Sequence, residues 1–331
     1  MSVEKGDQVI LGVGFQATRD TPVDPQVWVP GRTPSGVKLE LEKKLIQETK
    51  ATKVESYGSE IVQKKVVGDH EFNLRCQSLG YFLKSLLGSC SSVAKSAPND
   101  AVYDHTITID TDPQNPALSL GLQSTIQAYR CALAIVSKLE INIPPDDIVY
   151  ATASFLAKSE AEHASFSPSF SSDDKYFRHQ DATIKIATNL AGLDAAEALS
   201  LKEFKLAIDN KGRVDPVIGS LDASDVLGME MAIEGNLSLN YGAKTYHDIF
   251  ADGDYKAMRI TLERDDVTIG SDQHPKLNID LARISFEGYS PDRPLDDIVK
   301  EGIDFKAHYS ETDSKMFEMI LTNLITAYTS A

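Results

Sequence analysis

Pro144-Pro145-Asp146-Asp147-Ile148-Val149, followed by Phe155 and Ala157, decides how this chain is built. It returns as Pro294-Leu295-Asp296-Asp297-Ile298-Val299, followed by Phe305 and Ala307, at a constant interval of 150 residues. Seven positions in a fourteen-residue window are identical. Identity at fixed spacing is the mark of an internal repeat, and repeats set architecture before any single element does. Working outward, Leu39 pairs with Leu206 and Gly68 with Gly235 at an interval of 167. Tyr81 and Gly88 pair with Tyr246 and Gly253 at 165. The shrinking interval implies about fifteen more residues in the first copy, between its helix and its DDIV strand. The chain has 331 residues, room for two domains of ordinary size.

Period-two alternation dominates the rest. Val37 to Leu41, His70 to Cys76, Thr106 to Ile109, Leu139 to Ile143, Phe204 to Ile208, Leu237 to Leu239, Leu277 to Ile279 and Ile284 to Phe286 each put apolar residues on one side only. Many short alternating strands between Gly, Pro, Asn and Asp turns indicate a β-sandwich or barrel. Two helices interrupt them. Ser78 to Leu87 carries Leu79, Phe82, Leu83, Leu86 and Leu87 at i, i+3, i+4 spacing with Gly88 as C-cap. A shorter one runs near Lys244 to Ala251 with Tyr246, Ile249 and Phe250. The expectation is an all-β-dominated fold with one short flanking helix per domain.

The division that follows is an extended N-terminal arm at 1–36, a first β domain at 37–160, a connecting loop or arm at 161–198 and a second β domain at 199–331. Thr21-Pro22, Asp24-Pro25, Pro30-Gly31 and Thr33-Pro34 disfavour helix or central strand in the arm. Ala161 to Asp181 is rich in Ser, Asp and His, and a loop of that length usually meets a partner. Lys315 to Tyr328 is apolar enough for a last helix, but the preceding Phe305-x-Ala307-x-Tyr309 strand and its acidic turn favour a closing hairpin strand.

Chemistry is sparse. Gly12-x-Gly14 lacks a third glycine and a following helix, so it is no dinucleotide fingerprint. The histidines at 70, 105, 163, 179, 247, 274 and 308 have no metal-ligand spacing. Asp146-Asp147 and Asp296-Asp297 precede strands, where aspartates cap turns; a lumen-facing acid, calcium or catalysis are the weaker readings. Asp110-x-Asp112 and Asp252-x-Asp254 lack the remaining ligands of a calcium loop. Catalytic, cofactor and metal sites are therefore each read as none. Cys76, Cys90 and Cys131 read as reduced, mostly buried thiols. The net charge is −16, which disfavours a DNA-gripping groove and suits a surface that DNA slides past. No stretch approaches the ~18 apolar residues of a membrane helix, so folding in a cytoplasm is expected.

Gly12-Val13-Gly14-Phe15-Gln16-Ala17-Thr18 with Thr21-Pro22-Val23, the Leu79 to Gly88 stretch, Asn210 to Tyr241 with Val217-Ile218-Gly219-Ser220, and Phe305 to Tyr328 together resemble the phage tail tube (major tail) proteins of long-tailed phages. The resemblance spans nearly the whole chain. It implies a structural virion protein, not an enzyme, that needs no cofactor and is assembled in the bacterial host. Subunits would form stacked rings, the conduit for DNA ejection, with DNA passing through an acidic lumen without specific binding. The repeat points to two tandem copies of the tail-tube fold and a homotrimeric pseudo-hexameric ring, with a homohexamer as the alternative. Tail terminator, distal tail and tape measure proteins are the other implied partners; the arm would dock on the neighbouring ring. The competing reading is a carbohydrate- or surface-binding β-sandwich module, for which the single tryptophan, Trp28, offers little platform.

Overall fold

The computed structural model describes Gly6, residues 9–50, 52–296 and 298–330. Strand accounts for 51% and helix for 7%. The first half runs β1 (Ile10–Phe15), β2 (Val27–Val29), β3 (Lys38–Leu45), β4 (Ser59–Asn73), α1 (Leu79–Leu87), β5 (Gly88–Ala94), β6 (Tyr103–Ile109), β7 (Leu118–Gln123), β8 (Ala128–Ile143) and β9 (Tyr150–His163). The second runs β10 (Ala182–Ala187), β11 (Leu201–Asp209), β12 (Arg213–Asp215), β13 (Asp225–Leu227), β14 (Ala232–Asn240), α2 (Thr245–Asp252), β15 (Lys256–Glu263), β16 (Lys276–Asp292), β17 (Lys300–His308) and β18 (Phe317–Asn323).

Pairing in the two halves follows one pattern. β3-β4-β9-β8 is matched by β11-β14-β17-β16, and β1-β7-β8 by β10-β15-β16, every pair antiparallel. Gly68 lies opposite Phe155, and Gly235 opposite Phe305. A Cβ on Gly235 would lie 2.4 Å from the Lys205 carbonyl oxygen and the Phe305 ring, so only glycine admits this approach. Irregularities recur too. β8 bulges at Ser137, between Val136↔Phe155 and Lys138↔Ser154; β16 bulges at Glu287, between Phe286↔Phe305 and Gly288↔Asp304. A second bulge falls at Ala132-Leu133 in β8 and Ala282-Arg283 in β16. A bulge re-aims a strand, so each long strand serves two sheet faces: its first part belongs to one layer and its second part to another.

One expected correspondence shifts. Val37 stands where Leu206 stands, opposite the equivalent glycine, so Leu39 matches Ile208 and the interval for β3 is 169, not 167. The excess length of the first half is the β5-β6 hairpin between α1 and β7. That hairpin reaches across to the second half, where β6 pairs with β18 and sets Ile107 opposite Met319.

Two strand pairings join the halves among the described residues, beside an isolated bridge from Lys64 to Asp222. β8 pairs with β11 from Lys138↔Asp209 to Ile143↔Phe204, and β6 pairs with β18. One apolar core runs through both, from Leu11 and Phe72 to Phe305 and Leu321. α1 buries its predicted stripe fully, whereas α2 buries none of its residues. The C-terminal segment clasps α1. The Tyr328 ring lies over Gly80, whose Cβ would fall 2.0 Å from it. The Tyr328 hydroxyl donates to the Gln77 carbonyl at 2.7 Å and accepts from Asn323 Nδ2 at 2.7 Å.

Three expectations about elements change. Residues 10–15 of the presumed arm form β1, hydrogen-bonded to β2 and β7 on its two sides, with Leu11 and Val13 fully buried. The prolines lie outside that strand, so they end it without preventing it. The connector holds β10, paired along its length with β15. β18 is a strand, but it leaves β17 through the Ser310–Lys315 turn and pairs with β16 and β6, so it closes no hairpin. Among the described residues, no helix is long and apolar enough to cross a membrane.

Candidate assembly surface

The sheet β3-β4-β9-β8-β11-β14-β17-β16 has one face on the core and one in water. Alternation sets this: on β11, Phe204, Leu206 and Ile208 point inward while Lys205 and Ala207 point outward. The wet face carries charges of both signs. Glu140, Glu234, Glu287 and Asp304, with Lys205 and Lys306 among them, line a groove of about 460 Å³ across β8, β11, β14, β17 and β16. Lys306 Nζ lies 3.1 Å from Glu234 Oε1, and Lys138 Nζ lies 2.5 Å from Glu140 Oε1. Acids outnumber bases in this groove as they do in the whole chain, but each sign lies close to the other.

The ends of that sheet are its chemically unfinished parts. Among the described residues, β3 pairs only with β4, and the 288–292 stretch of β16 pairs only with β17. All eight residues of β3 are exposed. Leu39 and Leu41 are each 37% exposed, whereas Ile208, which matches Leu39, is 0% exposed because β8 covers its edge. Full burial of one leucine contributes about 1.5–3 kcal/mol, and an unpaired edge invites another strand. At the opposite end Glu301 is buried on β17 where the first half has Ala151, opposite Pro291. Its Oε2 accepts from the Tyr289 hydroxyl at 3.0 Å, and its Oε1 has no partner among the described residues. Burial pushes its carboxyl pKa up.

The residues singled out in the sequence are scattered. Asp147 Oδ1 accepts from the Ile148 N–H at 2.7 Å, and Oδ2 from Arg32 at 2.7 Å; the Arg32 hydrogen bond holds its pKa down. Asp297 lies outside the described residues. His163 stacks on Phe166 at 4.2 Å, and His179 Nδ1 is 3.2 Å from the Asp147 carbonyl oxygen. Burial pushes the Cys76 and Cys131 thiols up to about 12. Trp28 is buried against Phe166, at 5.6 Å between rings, so it forms no exposed platform. Among the described residues no cluster of three His, Cys, Asp or Glu could hold a metal. Which strands form the open edges was not legible in the sequence, because period-two alternation reports faces, not neighbours.

A family model described as phage tail tube protein matches residues 6–299 of the 331. The chain belongs to the phage tail tube protein family. No curated protein matches it. Membership makes it a structural component of the phage tail tube, located in the virion tail, where subunits self-assemble and associate with other tail components.

Proposed function

We propose that three copies of this chain close into a ring of six equivalent tube units, and that stacked rings form the conduit through which DNA is ejected into the host. The observation that carries this reading is the matched pairing pattern of the two halves, with its bulges at Ser137 and Glu287. A duplicated tube fold, one copy per half, accounts for both. Ring closure is also the physical remedy for a sheet with two open ends, since a closed ring has no edge. The wet face of the long sheet lines the channel. Its mixed charge gives phosphate little net attraction, so DNA passes without specific binding and no catalysis is involved. The tail terminator, distal tail and tape measure proteins meet the tube at its ends and within it. Assembly takes place in the bacterial host cytoplasm.

Native mass measurement of the purified assembly tests this. Rings of three times the 36.2 kDa chain mass are expected; a six-chain ring, or only single chains under conditions that yield tubes, overturns the trimer.

A further inference from the structure

The chain contains a template for its own contact with the next copy. Within one chain the second part of β8 pairs with β11, Leu139 opposite Ile208 and Glu140 opposite Ala207. The bulges align β16 with β8 at an interval of 150, so Tyr289 matches Leu139 and Ser290 matches Glu140. The glycine pairings align β3 with β11 at 169, so Leu39 matches Ile208 and Lys38 matches Ala207. Both matched edges are open among the described residues.

We infer that residues 288–292 of β16 in one copy pair antiparallel with β3 of a second copy, Tyr289 opposite Leu39 and Ser290 opposite Lys38. This rests on the ring reading above and specifies its contact. Head-to-tail pairing uses two different edges, so each copy offers one of each and the chain of contacts can close.

Two local features bear on it. The Asn210 N–H donates to the Ser137 carbonyl across the β8-β11 junction, so alternate residues from there, including Ile208 and Leu139, exchange hydrogen bonds across it. By the same count Tyr289 and Leu39 form a reciprocal hydrogen-bonded pair. Pro291 turns its nitrogen to the open edge and supplies no N–H, so the ladder forfeits one bond there. Proline in that place is an edge-strand feature, and it discourages indiscriminate pairing of free copies.

Paired cysteines test the register. Lys38 and Ser290 sit at opposite ends of the eight-strand path within one chain, so a disulfide between them must join two copies. Equal amounts of Lys38→Cys and Ser290→Cys proteins are assembled together and oxidised, and non-reducing gels and ring mass are read. The double variant Lys38→Cys/Ser290→Cys is run beside them, with Glu42→Cys/Ser290→Cys as the shifted control. The expected result is a covalent dimer from the mixture, a covalent ladder ending at a closed ring from the double variant, and at least tenfold less product from the control. Intact rings that lack the 38–290 link, or that link equally in the control, overturn the register while leaving the ring standing. Failure of the wild-type chain to form any ring overturns both. Disulfide dimers from Lys38→Cys alone overturn the head-to-tail arrangement in favour of a symmetric β3-β3 contact.

Discussion

His70 shows at the scale of one residue how this fold spends stability. It lies on β4 facing the core, stacked on Phe72 at 5.8 Å; the Val29 backbone is near its ring, but neither ring nitrogen makes a hydrogen bond of good geometry among the described residues. The 31–36 segment crosses over it, with the Arg32 N–H bonded to the Glu71 carbonyl and the Gly36 N–H to the Asp69 carbonyl. Burial pushes its pKa down to about 4. The unfolded chain protonates such a histidine near the ordinary ~6.5, while the folded chain resists until about pH 4. Its share of stability is therefore complete above that ordinary value and is lost as pH falls towards the folded one. The loss reaches about 3 kcal/mol at the lower end, given about 1.36 kcal/mol per pH unit. Substituting His70→Leu removes the titrating group at similar volume. Thermal unfolding of both proteins between about pH 7 and about pH 4 should show the wild type losing several degrees relative to the variant; parallel curves would count against a buried neutral histidine.

At the scale of elements, the sequence was most legible where alternation and repetition coincide. β8, β9, β16 and β17 surround the DDIV motif, and their apolar residues Leu139, Ile141, Ile303 and Phe305 are the buried ones. α1 was legible because five large apolar residues share one face. The role of β1 was hidden because its prolines lie just beyond it, and proline statistics describe local backbone, not which strand lies alongside. β18 was legible as a strand but its partners were not: β6 and β16 are distant in sequence, and pairing across such distances leaves no local trace. The same limit explains Leu39 and Leu41, whose alternation foretold a core face that the single chain leaves exposed. β1 yields a direct prediction. Removing residues 1–36 deletes Leu11, Val13, Phe15, Trp28 and Val29 and uncovers Leu118 and Leu120 on β7. Each buried side chain lost costs about 2–5 kcal/mol, against a total stability of only ~5–15 kcal/mol. The truncated chain is expected to be insoluble or to unfold without a cooperative transition in circular dichroism. A soluble truncation with a sharp melt would mean that β1 is an accessory strand after all.

At the scale of the whole molecule, net charge and local charge act differently. The chain carries −16, yet the wet face of the long sheet sets Lys138, Lys205 and Lys306 among Glu140, Glu234 and Asp304. A strongly acidic channel would hold DNA at the axis by repulsion but would also oppose its entry. A basic one would bind it through counterion release, each neutralised phosphate adding about 0.9 to the salt exponent. A finely mixed face does neither, because opposite charges within a few ångströms cancel beyond a Debye length of about 8 Å at physiological salt. The prediction belongs to the assembled tube, where the same face recurs around the channel. Glu140→Lys with Glu234→Lys exchanges two acids for two bases in every copy and breaks the pairs that now hold Lys138 and Lys306. Both side chains are open to water, so folding and ring mass should be unchanged. Tubes of the double variant should retain short duplex DNA in co-sedimentation at low salt and release it as salt rises, whereas wild-type tubes retain little at any salt. If the variant tubes hold no more DNA than wild type, this face is turned away from the channel, and another surface of the subunit lines it.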